Sequence, residues 1–152
     1  MVHRRLKEFK VVTDKKPEFE TSHAVLLVSG KYILQLRDDI PGISAPGQWA
    51  LFGGRIVDGE TPIDAVKREV FEELVIRPAH FNLLRPIDYY DPFERTVVRT
   101  WFFWADVTDV WAEHRLQEGK DVKAFDYENL QGLVIPSVMK ELIERFHKEK
   151  MI

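Results

Sequence analysis

The feature that most constrains this chain is the segment of residues 54–76, whose sequence is GRIVDGETPIDAVKREVFEELVI. Residues 58–59 are Asp-Gly, a dipeptide typical of turns. Thr61 then suits a helix N-cap, Pro62 suits the first helical position, and Asp64 stands at the capping-box position. The segment therefore predicts a glycine turn that leads directly into an α-helix.

The predicted helix has a buried stripe with an acidic face beside it. Apolar residues recur along it at steps of three and four positions: Ile63, Val66, Val70 and Leu74. Next to this stripe, Glu69, Glu72 and Glu73 project from one side of the helix, where their like charges repel. Arg68 can relieve only part of that charge, so the group predicts a bound cation. Because the ligands are all oxygens, with no cysteine or histidine nearby, Mg²⁺ or Mn²⁺ is favoured over Zn²⁺.

Taken alone, the three glutamates are equally compatible with an ordinary acidic surface helix. The residues at fixed distances before them favour the metal site, because the segment resembles the Nudix box. That box is G-x5-E-x7-R-E-U-x-E-E-x-G-U, where U is a bulky apolar residue. The residues that match it here are Gly54, Glu60, Arg68, Glu69, Val70, Glu72, Glu73 and Ile76. On this resemblance the chain is identified as a member of the Nudix hydrolase family, of the mutator type.

One position departs from the box, since Val75 stands where the motif has glycine. A glycine just past a helix usually adopts a left-handed conformation, which is costly for a β-branched residue. We therefore predict that Val75 keeps a negative φ. The helix would then end in another way, with Arg77-Pro78 close behind as a stop signal. The departure removes neither a metal ligand nor a general base.

The whole chain has the composition of one globular domain spanning residues 1–152. It is 45% hydrophobic and 31% charged, which is enough for a full core. Its 22 basic and 25 acidic side chains give a net charge of −3, which does not favour a nucleic-acid partner. No apolar run reaches membrane length, and the first ten residues, MVHRRLKEFK, lack the apolar core of a signal peptide. We therefore expect a cytoplasmic protein with no membrane partner.

Residues outside the box predict strands on both sides of the helix. Residues 1–21 are expected to form an N-terminal arm or an edge strand. Residues 23–28 and 32–37 are strand-like and flank a Ser-Gly-Lys turn, which predicts a hairpin. Residues 96–107 are rich in aromatic side chains and predict a central strand, and a final amphipathic helix begins at Ser137. This order fits the fold that the resemblance implies, an α/β fold built as an α/β/α sandwich with a mixed β-sheet.

The resemblance also implies a metal site at the box. Glu69, Glu72 and Glu73 would hold Mg²⁺ or Mn²⁺, and a backbone carbonyl of Gly53 or Gly54 would be a further ligand. Because glycine allows a close approach of the backbone, Gly54 is also predicted to lie against a bound substrate.

Further roles follow from the resemblance for residues in and near the box. Arg68 would orient an acid through a charge-assisted hydrogen bond, and Glu60 would brace the loop or a metal-bound water. The general base would be Glu69, or Glu118 on the loop that follows the long aromatic strand. Arg37, at the end of a predicted strand, is a candidate for contact with a phosphate or a base of the substrate.

The implied reaction is hydrolysis of a diphosphate linkage in a small-molecule nucleotide, a nucleoside diphosphate joined to another group. The chain length and the region around Glu118 favour a (d)NTP pyrophosphohydrolase. An ADP-ribose or NDP-sugar pyrophosphatase stays open, because the residues that select the substrate lie in loops. A non-catalytic nucleotide-binding or sensor module is the other alternative, although such modules often lose box glutamates and none is lost here. Members of the family are often dimers, so a homodimer also stays open.

Overall fold

A mixed β-sheet organises the protein, for which a computed structural model describes residues 10–149. Within these residues the strands are β1 (Phe19–Val28), β2 (Lys31–Leu36), β3 (Trp49–Ala50), β4 (Phe52–Arg55), β5 (Asn82–Asp91), β6 (Thr96–Asp106) and β7 (Asp121–Phe125). The α-helices described are α1 (Pro62–Leu74) and α2 (Ser137–Glu149), and short 3-10 helices occupy Trp111–Glu113 and Tyr127–Gly132. Neither of these α-helices is long and apolar enough to cross a membrane.

The strands are ordered β3-β2-β1-β6-β5 along the main path of the sheet, while β4 pairs with β1 and β7 pairs with β2. β1 and β6 run parallel, and the other pairs are antiparallel. The hairpin between β1 and β2 turns at Ser29 and Gly30, whose φ values of 48° and 79° suit a tight two-residue turn. The predicted hairpin is therefore confirmed, although its first strand begins at Phe19 rather than at His23.

The predicted N-terminal arm, residues 1–21, ends inside the sheet. Residues 19–21 already belong to β1, which lies between neighbouring strands, so the expectation of an arm or an edge strand is wrong for them. Ahead of β1, Val12 forms an isolated bridge with Tyr89 of β5. Residues 1–9 of the predicted arm lie outside the described residues.

Side chains alternate along the strands, so that each face of the sheet packs against one helix. The core layer beneath α1 includes Ala24, Leu26, Phe52, Val66, Val70, Leu74 and Phe103. The core layer beneath α2 includes Val25, Leu34, Phe102, Val138, Met139, Leu142 and Ile143. The helices cover opposite faces of a mixed sheet, which confirms the predicted α/β/α sandwich.

The start of α1 follows the sequence prediction except at one apolar residue. Oγ1 of Thr61 accepts a hydrogen bond from the N–H of Asp64 at 3.2 Å, as an N-cap does. Ile63, however, is 36% exposed, so its assignment to the buried stripe is wrong. The reason is that the buried face of the helix is rotated toward Glu73, which is only 2% exposed, and this rotation leaves Ile63 at the margin.

The end of α1 contradicts the prediction for Val75. This residue has φ 58° and ψ 37°, the left-handed conformation, rather than a negative φ. Its N–H donates to the carbonyl of Phe71 at 2.8 Å, as the glycine of the box would. The carbonyls of Leu74 and Glu73 accept hydrogen bonds from the N–H groups of Arg115 and Gln117, respectively, each at 2.9 Å. These tertiary contacts hold the helix end in place, and the cost of the left-handed valine is offset by them.

Candidate active site

A fork of hydrogen bonds ties the loop of the box to its helix. Nε of Arg68 donates to Oε2 of Glu60 at 2.6 Å, and Nη2 donates to Oε1 at 3.0 Å. Glu60 also accepts from the N–H of Val57 at 3.0 Å, while Nη2 of Arg68 reaches the carbonyl of Arg55 at 3.1 Å. These bonds, led by the one from Arg68, lower the pKa of Glu60 to about 2. Glu60 therefore stays ionised and braces the turn before α1.

The same guanidinium also reaches two acids of the helix. Nη1 of Arg68 donates to Oε2 of Glu69 at 3.2 Å and to Oε1 of Glu72 at 3.1 Å. The side chain of Glu69 is 17% exposed, whereas that of Glu72 is 52% exposed. Arg68 is therefore placed to orient these carboxylates, and it leaves the group with a net negative charge.

Glu73 is the buried acid of the helix. Its Oε1 accepts a hydrogen bond from the N–H of Gly53 at 3.1 Å, so Gly53, a predicted metal ligand, meets this acid through its amide. Burial raises the pKa of Glu73 well above its usual value, and repulsion by Glu69 and Glu118 adds to the rise. The charge of Arg37 opposes this rise in pKa. Glu73 is thus held between the sheet and the other acids.

The glycine pair, Gly53 and Gly54, leaves room for the functional groups around it. A Cβ added to Gly54 would lie 2.4 Å from Oε2 of Glu69, so that carboxylate occupies the space a side chain would take. A Cβ added to Gly53 would lie 2.1 Å from the carbonyl oxygen of Ser22, which is fixed backbone. Burial also raises the pKa of Glu69, against the opposing charge of Arg68. Fixed backbone therefore requires glycine at position 53, whereas at position 54 the neighbour is the end of a side chain that can move.

Glu118 lies on the loop between β6 and β7, where its charge acts on Glu69 and Glu73. Its charge raises the pKa of both Glu69 and Glu73, although its own side chain is exposed. On one side of it, the N–H of Gln117 donates to the carbonyl of Glu73 at 2.9 Å. On the other side, the N–H of Lys120 donates to a carbonyl of β2 at 2.8 Å. The loop is therefore attached on both sides of Glu118, and the structure brings this residue toward the acids of the helix. The acid cluster is defined as Glu69, Glu72, Glu73 and Glu118.

The acid cluster has the chemistry to bind a divalent cation, but its carboxylates are not yet arranged around one point. Within the described part of the chain, no three acidic, histidine or cysteine side chains already surround one point as metal ligands. Glu69 and Glu72 instead bond to Arg68, and Glu73 bonds to the N–H of Gly53. Burial and mutual repulsion nevertheless raise the pKa of Glu69 and Glu73, and carboxylate oxygens are the donors that Mg²⁺ prefers. A hard divalent ion fits this donor set because it would relieve that repulsion.

A cleft of about 620 Å³ opens beside the glycine pair, between the sheet and the start of α2. This volume is in the range of small-molecule sites, roughly 300–1,000 Å³. Arg37 and Gly54, the residues predicted to contact a substrate, both line it. Nε of Arg37 donates to the carbonyl of Ser44 at 3.1 Å, which fixes the side chain at the edge of the cleft. The apolar wall of the cleft includes Ala50, Leu51, Ile135, Val138 and Met139.

Sequence reasoning missed the polar residues on the floor of this cleft. Thr21 and His23 occupy alternate positions of β1 and line the cleft. Val25 and Leu27 continue the same face of β1 into the core beneath α2. Two polar residues in an otherwise apolar alternation are the signal that the sequence contains for these positions.

Thr21 belongs to a hydroxyl chain, defined as Thr21, Thr100 and Tyr89. Oγ1 of Thr21 lies 2.7 Å from Oγ1 of Thr100, and the hydroxyl of Tyr89 lies 3.0 Å from the same atom. Burial raises the pKa of Tyr89 to about 12, so its hydroxyl keeps its proton. Two hydrogen bonds among three hydroxyl groups leave one hydroxyl hydrogen available at an end of the chain.

His23 lies beside the hydroxyl chain, and one of its ring nitrogens has no partner. Nδ1 is shielded from solvent and has no hydrogen-bond partner among residues 10–149. Burial, followed by the charge of Arg37, lowers the pKa of His23 to about 4. The imidazole is therefore neutral near pH 7.

Comparison with known proteins identifies the family. The NUDIX domain matches residues 17–146. The chain belongs to this family. Over 52 residues it is 46% identical to the 8-oxo-dGTP diphosphatase of Escherichia coli (strain K12), a match that covers 34% of this chain and 38% of that enzyme. The matched stretch spans well under half of this chain and of that enzyme.

Solved structures share the Nudix fold with this chain. The MutT protein from Methanosarcina mazei Go1 superposes with a TM-score of 0.76 at 22% identity, over 92% of this chain and 100% of that chain. The NUDIX domain of Shewanella oneidensis NrtR, complexed with ADP ribose, gives a TM-score of 0.74 at 21% identity, over 90% of this chain and 91% of that chain. At these identities the likeness establishes the fold.

Proposed function

We propose that this Nudix protein is a divalent-metal-dependent pyrophosphohydrolase that converts a (d)NTP to a nucleoside monophosphate and pyrophosphate. The observation that carries the proposal is the acid cluster beside the cleft. There, the buried Glu73 is held by the N–H of Gly53, and Glu69 fills the space at Gly54. The match to an 8-oxo-dGTP diphosphatase over 52 residues supports a nucleoside triphosphate as substrate.

The proposed reaction is attack by water on a phosphorus of the diphosphate linkage, with cleavage of the bond to the bridging oxygen. A divalent ion bound by Glu69, Glu72 and Glu73 would offset phosphate charge and lower the pKa of bound water. The water proton passes to a carboxylate, either Glu69 or Glu118. Glu69 is the candidate from the box, because Arg68 holds its carboxylate in place at 3.2 Å beside Gly54. Arg37 binds a phosphate oxygen by a charge-assisted hydrogen bond.

An ADP-ribose or NDP-sugar pyrophosphatase is the second candidate. The fold is shared with a NUDIX domain complexed with ADP ribose, and the cleft of about 620 Å³ is large enough for a group beyond the nucleoside. A non-catalytic nucleotide-binding or sensor module is the third candidate, and the presence of every box glutamate weighs against it. The cytoplasmic location and the homodimer remain predictions from the sequence.

The test is Mg²⁺-dependent hydrolysis across a panel of substrates. The panel contains unmodified and oxidised (d)NTPs, ADP-ribose and NDP-sugars, and each reaction is followed by chromatography of the nucleoside monophosphate that all of them would release. We expect turnover of a (d)NTP by the wild type and its loss in Glu72→Gln and in Glu73→Gln. Glu128→Gln, which changes an exposed acid on the 3-10 helix after β7, is the matched control and should retain turnover.

Each other outcome selects a different candidate. Turnover of ADP-ribose or an NDP-sugar in place of a (d)NTP would establish the second candidate. Nucleotide binding without turnover of any substrate would establish the sensor module. Turnover that survives in both box variants would contradict the proposed metal site.

A further inference from the structure

The cleft combines charged lining residues with an apolar wall. Its lining cations are Arg37 and Arg55, and its lining acids are Asp91 and Glu94. Arg55 directly follows the glycine pair and pairs with Glu94 at 3.5 Å, whereas Nε of Arg37 donates to a backbone carbonyl. The wall formed by the start of α2 is apolar, with Val138 and Met139 among its residues. A substrate with an anionic part and a nucleoside part would therefore place its anionic part at the glycine pair and its nucleoside in the interior.

His23 lies between these two parts of the cleft. It pairs with Gly53 across β1 and β4, and a Cβ added to Gly53 would lie only 2.7 Å from Cγ of His23. Its ring also lies 6.4 Å from the ring of Phe102, measured between centroids. The imidazole is thus packed in one position by a glycine on one side and an aromatic ring on another.

The imidazole without a hydrogen bond is the observation that points to a ligand. Among the described residues none bonds to its ring, which lines the cleft; Nδ1 is closed off by packing, so Nε2 is the nitrogen left to face the cleft. The adjacent Thr21 begins the hydroxyl chain, in which one hydroxyl hydrogen is left over. A ligand group that donates and accepts hydrogen bonds would satisfy both, whereas the apolar wall would cover its remaining surface.

We propose that His23 is a specificity-determining residue that hydrogen-bonds an uncharged polar group of the substrate's nucleoside. This inference rests on the proposed function, since it names what the same site selects. The group is a hydroxyl of the ribose or a polar edge of the base. Both present hydrogen-bond donors and acceptors that can pair with the imidazole and the spare hydroxyl hydrogen on the floor of the cleft.

The test replaces the imidazole without removing its packing. His23→Phe keeps an aromatic ring beside Gly53 and Phe102 but has no nitrogen. If His23→Phe does not fold, His23→Leu is used in its place. His23→Gln restores a polar atom near the position of Nε2. Tyr32→Phe is the matched control, because it removes a hydroxyl that bonds to His147 outside the cleft.

Two measurements are made on each variant. The first is KM and kcat for ribo- and deoxyribonucleotide pairs with one base, and for different bases on one sugar. The second is the Kd of the nucleoside monophosphate by calorimetry in metal-free buffer. For His23→Phe we expect KM and Kd of the preferred nucleoside to rise about tenfold and the preference to disappear, with kcat within about threefold. His23→Gln should keep the preference, and Tyr32→Phe should match the wild type.

The outcomes separate this inference from the proposed function. Loss of preference within the sugar pairs identifies a ribose hydroxyl as the group, and loss within the base series identifies the base edge. An unchanged preference and Kd in His23→Phe or His23→Leu would overturn the inference while hydrolysis stands. If no substrate is turned over but the monophosphate Kd still depends on His23, the inference holds and the proposed reaction falls.

Discussion

The acid cluster and the cleft are built from the sequence in different ways. Three of the four acids in the cluster come from one helix, where Arg68 bonds to Glu69 and Glu72. The fourth, Glu118, comes from the β6–β7 loop. The cleft instead takes its lining from β1, β2, β4, β5 and the start of α2. The difference teaches that the proposed chemistry depends mainly on local sequence, whereas selectivity depends on strands that meet only in the folded protein. Substitutions should therefore separate turnover from binding.

The largest expected effect is loss of turnover without loss of binding in Glu73→Gln. The amide keeps the size of the buried side chain but removes the charge that would hold a divalent ion. We expect kcat to fall by more than about 100-fold, the upper end for changes around a metal site. The Kd of the nucleotide in metal-free buffer should stay within about threefold, because the cleft is unchanged. Equal losses of binding and turnover would show that box and cleft are not separable.

A second prediction concerns Gly54→Ala. The new Cβ meets the end of the Glu69 side chain, which can move, so the fold should survive and the carboxylate should shift. A misplacement of about 1 Å at a reacting group can cost about 100-fold in rate, so kcat should fall roughly tenfold to 100-fold. Thermal melting should show only a small change, which distinguishes a displaced carboxylate from a damaged fold.

Gly53→Ala provides the contrast for that prediction. Its Cβ would meet the carbonyl oxygen of Ser22, which is backbone in the centre of the sheet. We expect a large loss of stability, above about 3 kcal/mol, measured by urea unfolding. If both alanine variants were equally stable, the structural difference between the two glycines would be contradicted.

A third prediction is a pH dependence of the fork between Glu60 and Arg68. The pKa of Glu60 is lowered from 4.5 to about 2, so its ionised form is favoured in the folded state. The stability that this provides is complete above pH 4.5 and is lost as the pH falls toward about 2. The difference in free energy of unfolding between wild type and Glu60→Gln should therefore shrink across this range in urea titrations. Arg68→Gln removes the same bonds from the other side and should show the same trend.

The smallest expected effect is an increase in stability in Val75→Gly. Glycine removes the cost of a left-handed β-branched residue, about 1–2 kcal/mol, and part of this gain is offset by the greater freedom of the unfolded chain. We expect the free energy of unfolding to rise by about 1 kcal/mol and Tm by roughly 3 °C. Turnover and selectivity should not change, since Val75 lies outside the cleft. A lower Tm would show that the loop contacts hold this residue without strain.

The box and the framework of the fold could be predicted because their signals are local. The N-cap at Thr61 and the turn at Ser29 and Gly30 depend on neighbouring residues, and both form in the structure. Val75 could not be predicted in this way, because the partners that hold the helix end are Arg115 and Gln117, far along the chain.

The cleft was the part least accessible to sequence reasoning. Arg37 could be selected through a family resemblance, but Thr21 and His23 had only a break in an apolar alternation to mark them. Their importance depends on Thr100, Tyr89 and the start of α2, which are brought together by non-local strand pairing. Ile63 failed for a related reason, since the angle at which a helix meets its sheet is a tertiary property.

The attachment of the β6–β7 loop to α1 has a consequence for motion. The N–H of Gln117 bonds to the carbonyl of Glu73, and the N–H of Arg115 bonds to the carbonyl of Leu74. The loop therefore cannot move away without breaking the hydrogen bonds of these two helix carbonyls. Any displacement of Glu118 is then coupled to fraying of the last turn of α1. Amide hydrogen exchange should report one cooperative opening event for Arg115, Gln117 and that turn. The β6–β7 loop and the last turn of α1 would thereby move together, and the distances between their carboxylates would change in one step.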